Sequence, residues 1–292
     1  MAGPAPTTSP GEHDVAMEPL PTPTVQPHWL LLHHRESELR ILDVRWSLTG
    51  GADEASYHVG HIPGATFVDL DRTLAGPAGP KGRHPLPDPE EFGRTMRAAG
   101  ISATSRVVVY DQVTGAAARA WWLLRASGLE QVAVLEGGLE AYSAAGGALS
   151  QRVPDLPPGD LNPSSFTGHV SADLIPGLQE QGYMVLDART HDRYRGVPNP
   201  LDPRPGHLPG AKSLPWTEVF PQGYRLHPDT VRERLHRLGH SGEPIIAYCG
   251  SGVTACALLM ALEGAGVKNL HLYPGSWSEW AADPSRPVEL ES

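Results

Sequence analysis

The 292 residues are 40% apolar and 19% charged, enough apolar mass to bury a core and too little charge for a disordered polyelectrolyte. Lys and Arg number 23 against 33 Asp and Glu, and a net charge of −10 argues against a nucleic-acid or anionic-membrane surface. At roughly 100–200 residues per domain, the length suits two.

Prolines crowd residues 1–27, which lack the basic and apolar regions of a secretory signal and read as a disordered arm. A first domain is expected over 28–146. Arg40–Val44, Arg106–Tyr110 and Val132–Leu135 are aliphatic runs of strand length. Asp88–Ala99 and Ala116–Ser127 read as helices stopped by Gly100 and Gly128. Residues 147–168, rich in Pro, Gly and Ser, are the expected linker. A second domain, 169–285, repeats the pattern with strands Met184–Ala188, Pro244–Tyr248 and Asn269–Tyr273. Its helices are Asp229–Leu238 and Val253–Glu263. Alternating strands and helices predict a mostly parallel sheet covered on both faces. No apolar run nears the ~20 residues of a membrane span. With only Cys249 and Cys256 there is no disulfide framework, so a reduced, cytoplasmic protein is expected.

The chain is written twice. Leu42-Asp43-Val44-Arg45 returns as Leu186-Asp187-Ala188-Arg189, and Gly60-His61-Ile62-Pro63-Gly64-Ala65 returns as Gly206-His207-Leu208-Pro209-Gly210-Ala211. The strand ending at Tyr110 returns as the strand ending at Tyr248, and Gly137–Tyr142 matches Gly275–Trp280. Four blocks in one order at nearly constant offset indicate domain duplication.

The copies part at one point. Ligands of open parallel sheets bind beyond the strands' carboxyl ends, near helix N-termini. There the second copy has Cys249, followed by Gly250-Ser251-Gly252-Val253-Thr254-Ala255 and a helix; the first has Asp111. Glycine-freed N–H groups and the positive helix end favour a thiolate. A free cysteine is otherwise a small buried hydrophobe, which is the reading for Cys256 inside its apolar helix. Asp43, Arg45, Asp187 and Arg189 persist even in the copy without a nucleophile, so they are assigned to bracing loops; Trp277 and Trp280 are assigned to the core.

These motifs resemble the tandem rhodanese-type sulfurtransferases, and Cys249–Ala255 is similar to the loop of 3-mercaptopyruvate sulfurtransferases. The resemblance covers about residues 28–285. It implies an α/β protein of two tandem rhodanese-like domains, the first non-catalytic with Asp111 and the second catalytic with Cys249. It implies sulfur transfer from 3-mercaptopyruvate, through a Cys249 persulfide, to thioredoxin, a small thiol or cyanide, without cofactor or metal. By the same resemblance, Arg193 and Arg204 bind the donor carboxylate and residues Gly250, Ser251, Gly252, Val253 and Thr254 cradle the sulfur. The resemblance also implies that Ser251, His61 and Asp53 form a proton relay. Arg195 stays a surface charge. The alternatives are a thiosulfate sulfurtransferase, disfavoured by the uncharged loop, and a persulfide carrier that would not need the arginines. A Cys-x5-Arg phosphatase is excluded because Ala255 stands where the arginine belongs. The pairs His58/His61 and His236/His240 lack a third metal ligand at a convincing spacing.

Overall fold

The computed structural model describes residues 19–291. Eleven strands are present among them: β1 Thr24–Val25, β2 Leu39–Asp43, β3 Trp46–Ser47, β4 Gly51–Ala52, β5 Ala65–Phe67, β6 Arg106–Tyr110, β7 Val132–Leu135, β8 Met184–Asp187, β9 Lys212–Ser213, β10 Ile245–Tyr248 and β11 Leu270–Leu272. The first domain is a parallel sheet in the order β1-β7-β6-β2-β5, and the second is a parallel sheet in the order β11-β10-β8-β9. Removing β1 leaves one topology used twice. Strands β3 and β4 form a small antiparallel hairpin.

The central strands β6, β8 and β10 are buried at every position, because helices cover both faces. Asp43 pairs in register with Tyr110, and Asp187 with Tyr248. Each aspartate takes a two-pronged bond from the arginine two residues on, and that arginine also donates to the carbonyl of Gly60 or Gly206. The paired Asp-x-Arg motifs therefore tie the first strand of each domain to its Gly-His-x-Pro-Gly turn, as the bracing assignment expected.

Helices Ala116–Ala126 and Thr254–Gly264 are buried almost all round and pack on each other across the domain boundary. Their alanines allow the backbones to approach. A methyl on Gly115, at φ 97°, would stand 2.9 Å from Cγ2 of Thr254. One apolar cluster consequently runs through both domains, while one smaller cluster fills the outer face of each sheet. The domains share a core rather than meeting at a polar seam.

The long elements lie within a residue or two of their expected bounds. The departures are short elements with no room for periodicity, such as β5 and β9. The N-terminal arm requires correction. Its residues 1–18 lie outside the described residues, but Leu20 is buried and donates its N–H to Gln131, and β1 pairs with β7. Burial of Leu20 and Val25 holds this stretch against the sheet despite its prolines. Residues 147–168 likewise lie along the first domain, where Leu161 and Phe166 are buried and Phe166 meets Phe92 edge-on. Among the described residues, no helix is long and apolar enough to cross a membrane.

Candidate active site

Cys249 follows β10 at the carboxyl edge of the second sheet and is 2% exposed. Its N–H donates to Ser276 Oγ at 3.1 Å, and that hydroxyl donates to the carbonyl of Tyr273 at 2.9 Å. Ser276 does this from a left-handed conformation, φ 53°, a strained geometry that cores tolerate where it positions functional groups. The loop then curls over its own first residue, so that the N–H of Gly252 donates to Cys249 Sγ at 3.2 Å. Gly252 itself has φ 79°, and a side chain there would run into the carbonyl of Pro274. Val253 is buried in the shared core.

Burial pushes the Cys249 thiol up. The Thr254 hydroxyl and the N–H groups of Ser251, Ala255 and Gly252 pull it down further, and the net pKa lies below its ordinary value. Cys256, two turns on, has no such cradle. Burial raises its thiol to about 12, and it donates to the carbonyl of Gly252, as a core residue should.

The first domain completes the site. A loop over residues 82–86 crosses the boundary: the N–H of Arg83 donates to Ser278 Oγ at 3.0 Å, and His84 Nδ1 lies 2.8 Å from Ser251 Oγ. On the far side of the ring, His84 Nε2 lies 3.4 Å from Asp71 Oδ1, while Trp46 donates to the other oxygen of Asp71 at 2.9 Å. Since Asp71 can only accept when ionised, Nε2 carries the imidazole proton and Nδ1 accepts from the Ser251 hydroxyl. Burial lowers His84 to about 4, against the opposite pull of Asp71, with the positive charges of Arg119 and Arg83 reinforcing burial; the ring is therefore neutral near pH 7.

This corrects the relay expected from sequence. The Ser251 hydroxyl meets His84, and neither His61 nor Asp53 takes part. His61 stacks on Tyr57 at 4.0 Å and is held by the carbonyls of Tyr57 and Arg152. Its twin His207 stacks on Tyr194 in the same way, at 3.8 Å, so the motif is a turn brace in both copies. Asp53 caps helix Glu54–Val59 through the N–H of Ser56. The overlooked signal was a fifth repeat. Gly82 and Pro87-Asp88 return as Gly223 and Pro228-Asp229, and the residues between them differ completely.

Arg193 reaches the loop from helix His191–Arg195, bonded through two nitrogens to Asp202, which also pairs with Arg189. A methyl built on Gly250 would stand 2.8 Å from Arg193 Nη2 and 3.0 Å from Arg83 Nη2, so both guanidiniums converge beside the nucleophile. Arg204 is the second correction. Its guanidinium donates to the carbonyls of Trp280, Ala281, Asp283 and Arg286, and these four acceptors hold it away from a donor-binding role. Arg195 pairs with Asp192 on the surface.

The matching place in the first domain is filled. Asp111 is wholly buried and accepts from the N–H groups of Val113 and Ala117 at 2.7 and 3.0 Å. It also accepts from the hydroxyl of Tyr224, which crosses from the second domain, at 2.9 Å. The N–H of Gly115 closes on that same hydroxyl at 2.8 Å.

Two parallel sheets of one topology, with a cysteine in one loop and an aspartate in the other, define a class. The rhodanese-like domain model matches residues 26–145 and 171–283, and the chain belongs to the rhodanese family with two such domains. Within that family, it is 44% identical over 263 residues to a probable 3-mercaptopyruvate sulfurtransferase of Pseudomonas aeruginosa, covering 87% of this chain and 93% of that protein. It is 40% identical over 262 residues to a putative thiosulfate sulfurtransferase, SseB, of Mycobacterium tuberculosis, covering 85% and 89%. The solved structure of the 3-mercaptopyruvate sulfotransferase SseA from Escherichia coli matches with a TM-score of 0.77 at 36% identity, covering 88% of this chain and 99% of that one.

Proposed function

We propose that the protein takes sulfur from 3-mercaptopyruvate, holds it as a persulfide on Cys249 and passes it to an acceptor, releasing pyruvate. The observation that carries this reading is a buried thiol whose own loop holds it below its ordinary pKa. The thiolate attacks the donor sulfur; an S–S bond forms, the C–S bond breaks, and the electron pair stays on carbon as the enolate of pyruvate. That carbon must gain a proton and the donor thiol must lose one. The Ser251 hydroxyl, oriented by neutral His84 with Asp71 behind it, carries that proton without leaving a charge in the site. Arg193 meets the donor carboxylate with a planar guanidinium suited to two parallel bonds. The N–H groups that lower the thiol also hold the persulfide, in the manner of an oxyanion hole.

A thiol such as thioredoxin or a small thiol, or cyanide, then removes the outer sulfur and restores the thiolate. No cofactor enters this scheme, because sulfur itself forms the covalent intermediate. Free, unpaired Cys249 and Cys256 suit a reducing cytoplasm. The test is intact mass and pyruvate release with 3-mercaptopyruvate, on the wild type and Cys249→Ser. A gain of one sulfur on the wild type alone, with pyruvate, is expected. Absence of the adduct sinks the reading and leaves a binding module.

A further inference from the structure

Arg119 is not used by the reading above, and it is wholly buried on helix Ala116–Ala126. It makes no ion pair among the described residues. Its guanidinium donates instead to four neutral carbonyls, those of Leu74, His84 and Pro85 in the first domain and of Gly252 in the second. Burial lowers its pKa, so the charge is held at a cost that carbonyl dipoles only partly offset. Such a cation is completed by an anion, and the titratable groups that draw on it are two thiols, Cys256 and then Cys249. Cys256, raised to about 12, stays a neutral thiol and donates to the same Gly252 carbonyl. Cys249 is held below its ordinary pKa and is the thiol that ionises. One residue spans the gap: the carbonyl of Gly252 accepts from Arg119 Nη1 at 3.1 Å, and its N–H donates to Cys249 Sγ at 3.2 Å.

We infer that Arg119 is the counter-charge of the Cys249 sulfur, supplied through the core by the domain that has no nucleophile. The inference rests on the reading of Cys249 as the nucleophile and deepens it. Arg119 reaches no substrate. It is a positioning residue, acting by its field and by holding Gly252 in the left-handed conformation, φ 79°, that turns its N–H to sulfur. The charge serves both halves of the cycle, since the thiolate and the persulfide that replaces it are each anionic at sulfur. Other groups face Cys249 as well. Arg83 and Arg193 converge over Gly250, Arg193 with Asp202 bonded to it, and His84 at Ser251 is neutral near pH 7. Those two arginines are half-buried at the mouth, where salt screens them, whereas Arg119 is closed off on every side.

The test is the pH at which iodoacetamide alkylation of Cys249 is half-maximal, on the full chain, for wild type, Arg119→Met and Arg119→Lys. Cys249→Ser shows that the label reads that thiol, and thermal melting shows which variants are folded. Arg119→Met removes the charge and keeps an unbranched side chain. Its half-maximal pH should rise by about one unit, the effect of one charge several ångströms off in a protein interior. The rise should persist in about 1 M KCl, which screens the charges at the mouth. Arg119→Lys keeps a cation but gives up carbonyl bonds, so it should melt lower and yet alkylate close to the wild-type pH. An unshifted Arg119→Met, a shift that disappears in salt, or an Arg119→Lys shifted by about as much as Arg119→Met should be would each overturn the counter-charge. If Arg119→Met does not fold, Arg119→Lys decides alone. Intact mass after 3-mercaptopyruvate keeps the two readings apart. A wild type and variants that alkylate as expected but form no persulfide would overturn the sulfur-transfer reading alone.

Discussion

The two domains carry the same loop at the same sheet edge, and each receives a visitor from the other. Gly223 brings Tyr224 to Asp111, closing its carbonyl on the N–H of Gly137 at 2.5 Å; Gly82 brings Arg83 and His84 to Cys249, packed against Gly275. The exchange is reciprocal but its products are opposite. In the first domain a carboxylate and a phenol satisfy the loop's N–H groups permanently. In the second, sulfur takes those bonds, and a histidine and two arginines stand around it with capacity to spare. Duplication preserved the scaffold, and the halves differ both at Cys249 against Asp111 and in the residues between their shared glycine and Pro-Asp signposts.

The first way to break this comparison is to move the nucleophile. Cys249→Ser should lower sulfur transfer at least a thousandfold, roughly the loss of covalent catalysis. Adding Asp111→Cys to it should restore nothing, because Tyr224 occupies the place a donor would need. Pyruvate release and intact mass decide this, and a persulfide on the new cysteine would refute the plugged-loop account.

Next in size is the relay. His84→Ala should lower kcat with 3-mercaptopyruvate by about a hundredfold, within the usual range for a positioned proton carrier, and by less with thiosulfate, whose leaving group needs no proton. An equal loss with both donors would reduce His84 to a packing role.

The acid limb of stability gives a third measure. His84 titrates near 6.5 unfolded and near 4 folded, so between these values the unfolded chain binds the extra proton. Its contribution is fully present above pH about 6.5 and is lost as the pH falls towards 4, amounting to about 3 kcal/mol. Urea titrations from pH 7 to 4 should show a shallower decline in His84→Asn than in the wild type.

Tyr224→Phe should cost about 1–3 kcal/mol, because it leaves the buried Gly115 N–H without its partner and removes one donor from Asp111. Urea unfolding measures the loss, and donor kinetics should change little. The smallest effect is Thr254→Val, which removes the first of the groups lowering the Cys249 thiol. The pH at which iodoacetamide alkylation is half-maximal should rise.

The central strands, the Cys249 loop and the bracing pairs were legible because each is written along the chain, in aliphatic runs or in repeated motifs. The relay was not. Comparison of the copies finds what they share, and His61 lies in a block that both retain, which is the mark of a brace. His84, Asp71 and Arg83 stand where the copies differ, and what brings them to Ser251 and Gly250 is packing between domains. Arg204 misled for a related reason. Its motif carries the arginine to the right stretch of chain, but free carbonyls after helix Ser276–Trp280 claim the guanidinium.

Arg119 gives the first domain a reason to persist. Wholly buried on helix Ala116–Ala126, its guanidinium donates to the carbonyls of Leu74, His84 and Pro85 in one domain and of Gly252 in the other. It acts as a rivet. Pulling the halves apart breaks its bond to Gly252 and opens the apolar faces of both central helices to water. The half without the cysteine is therefore not dispensable: a single module would lose the rivet's seat, the histidine beside Ser251 and the second arginine together. The two halves are inherited as one machine.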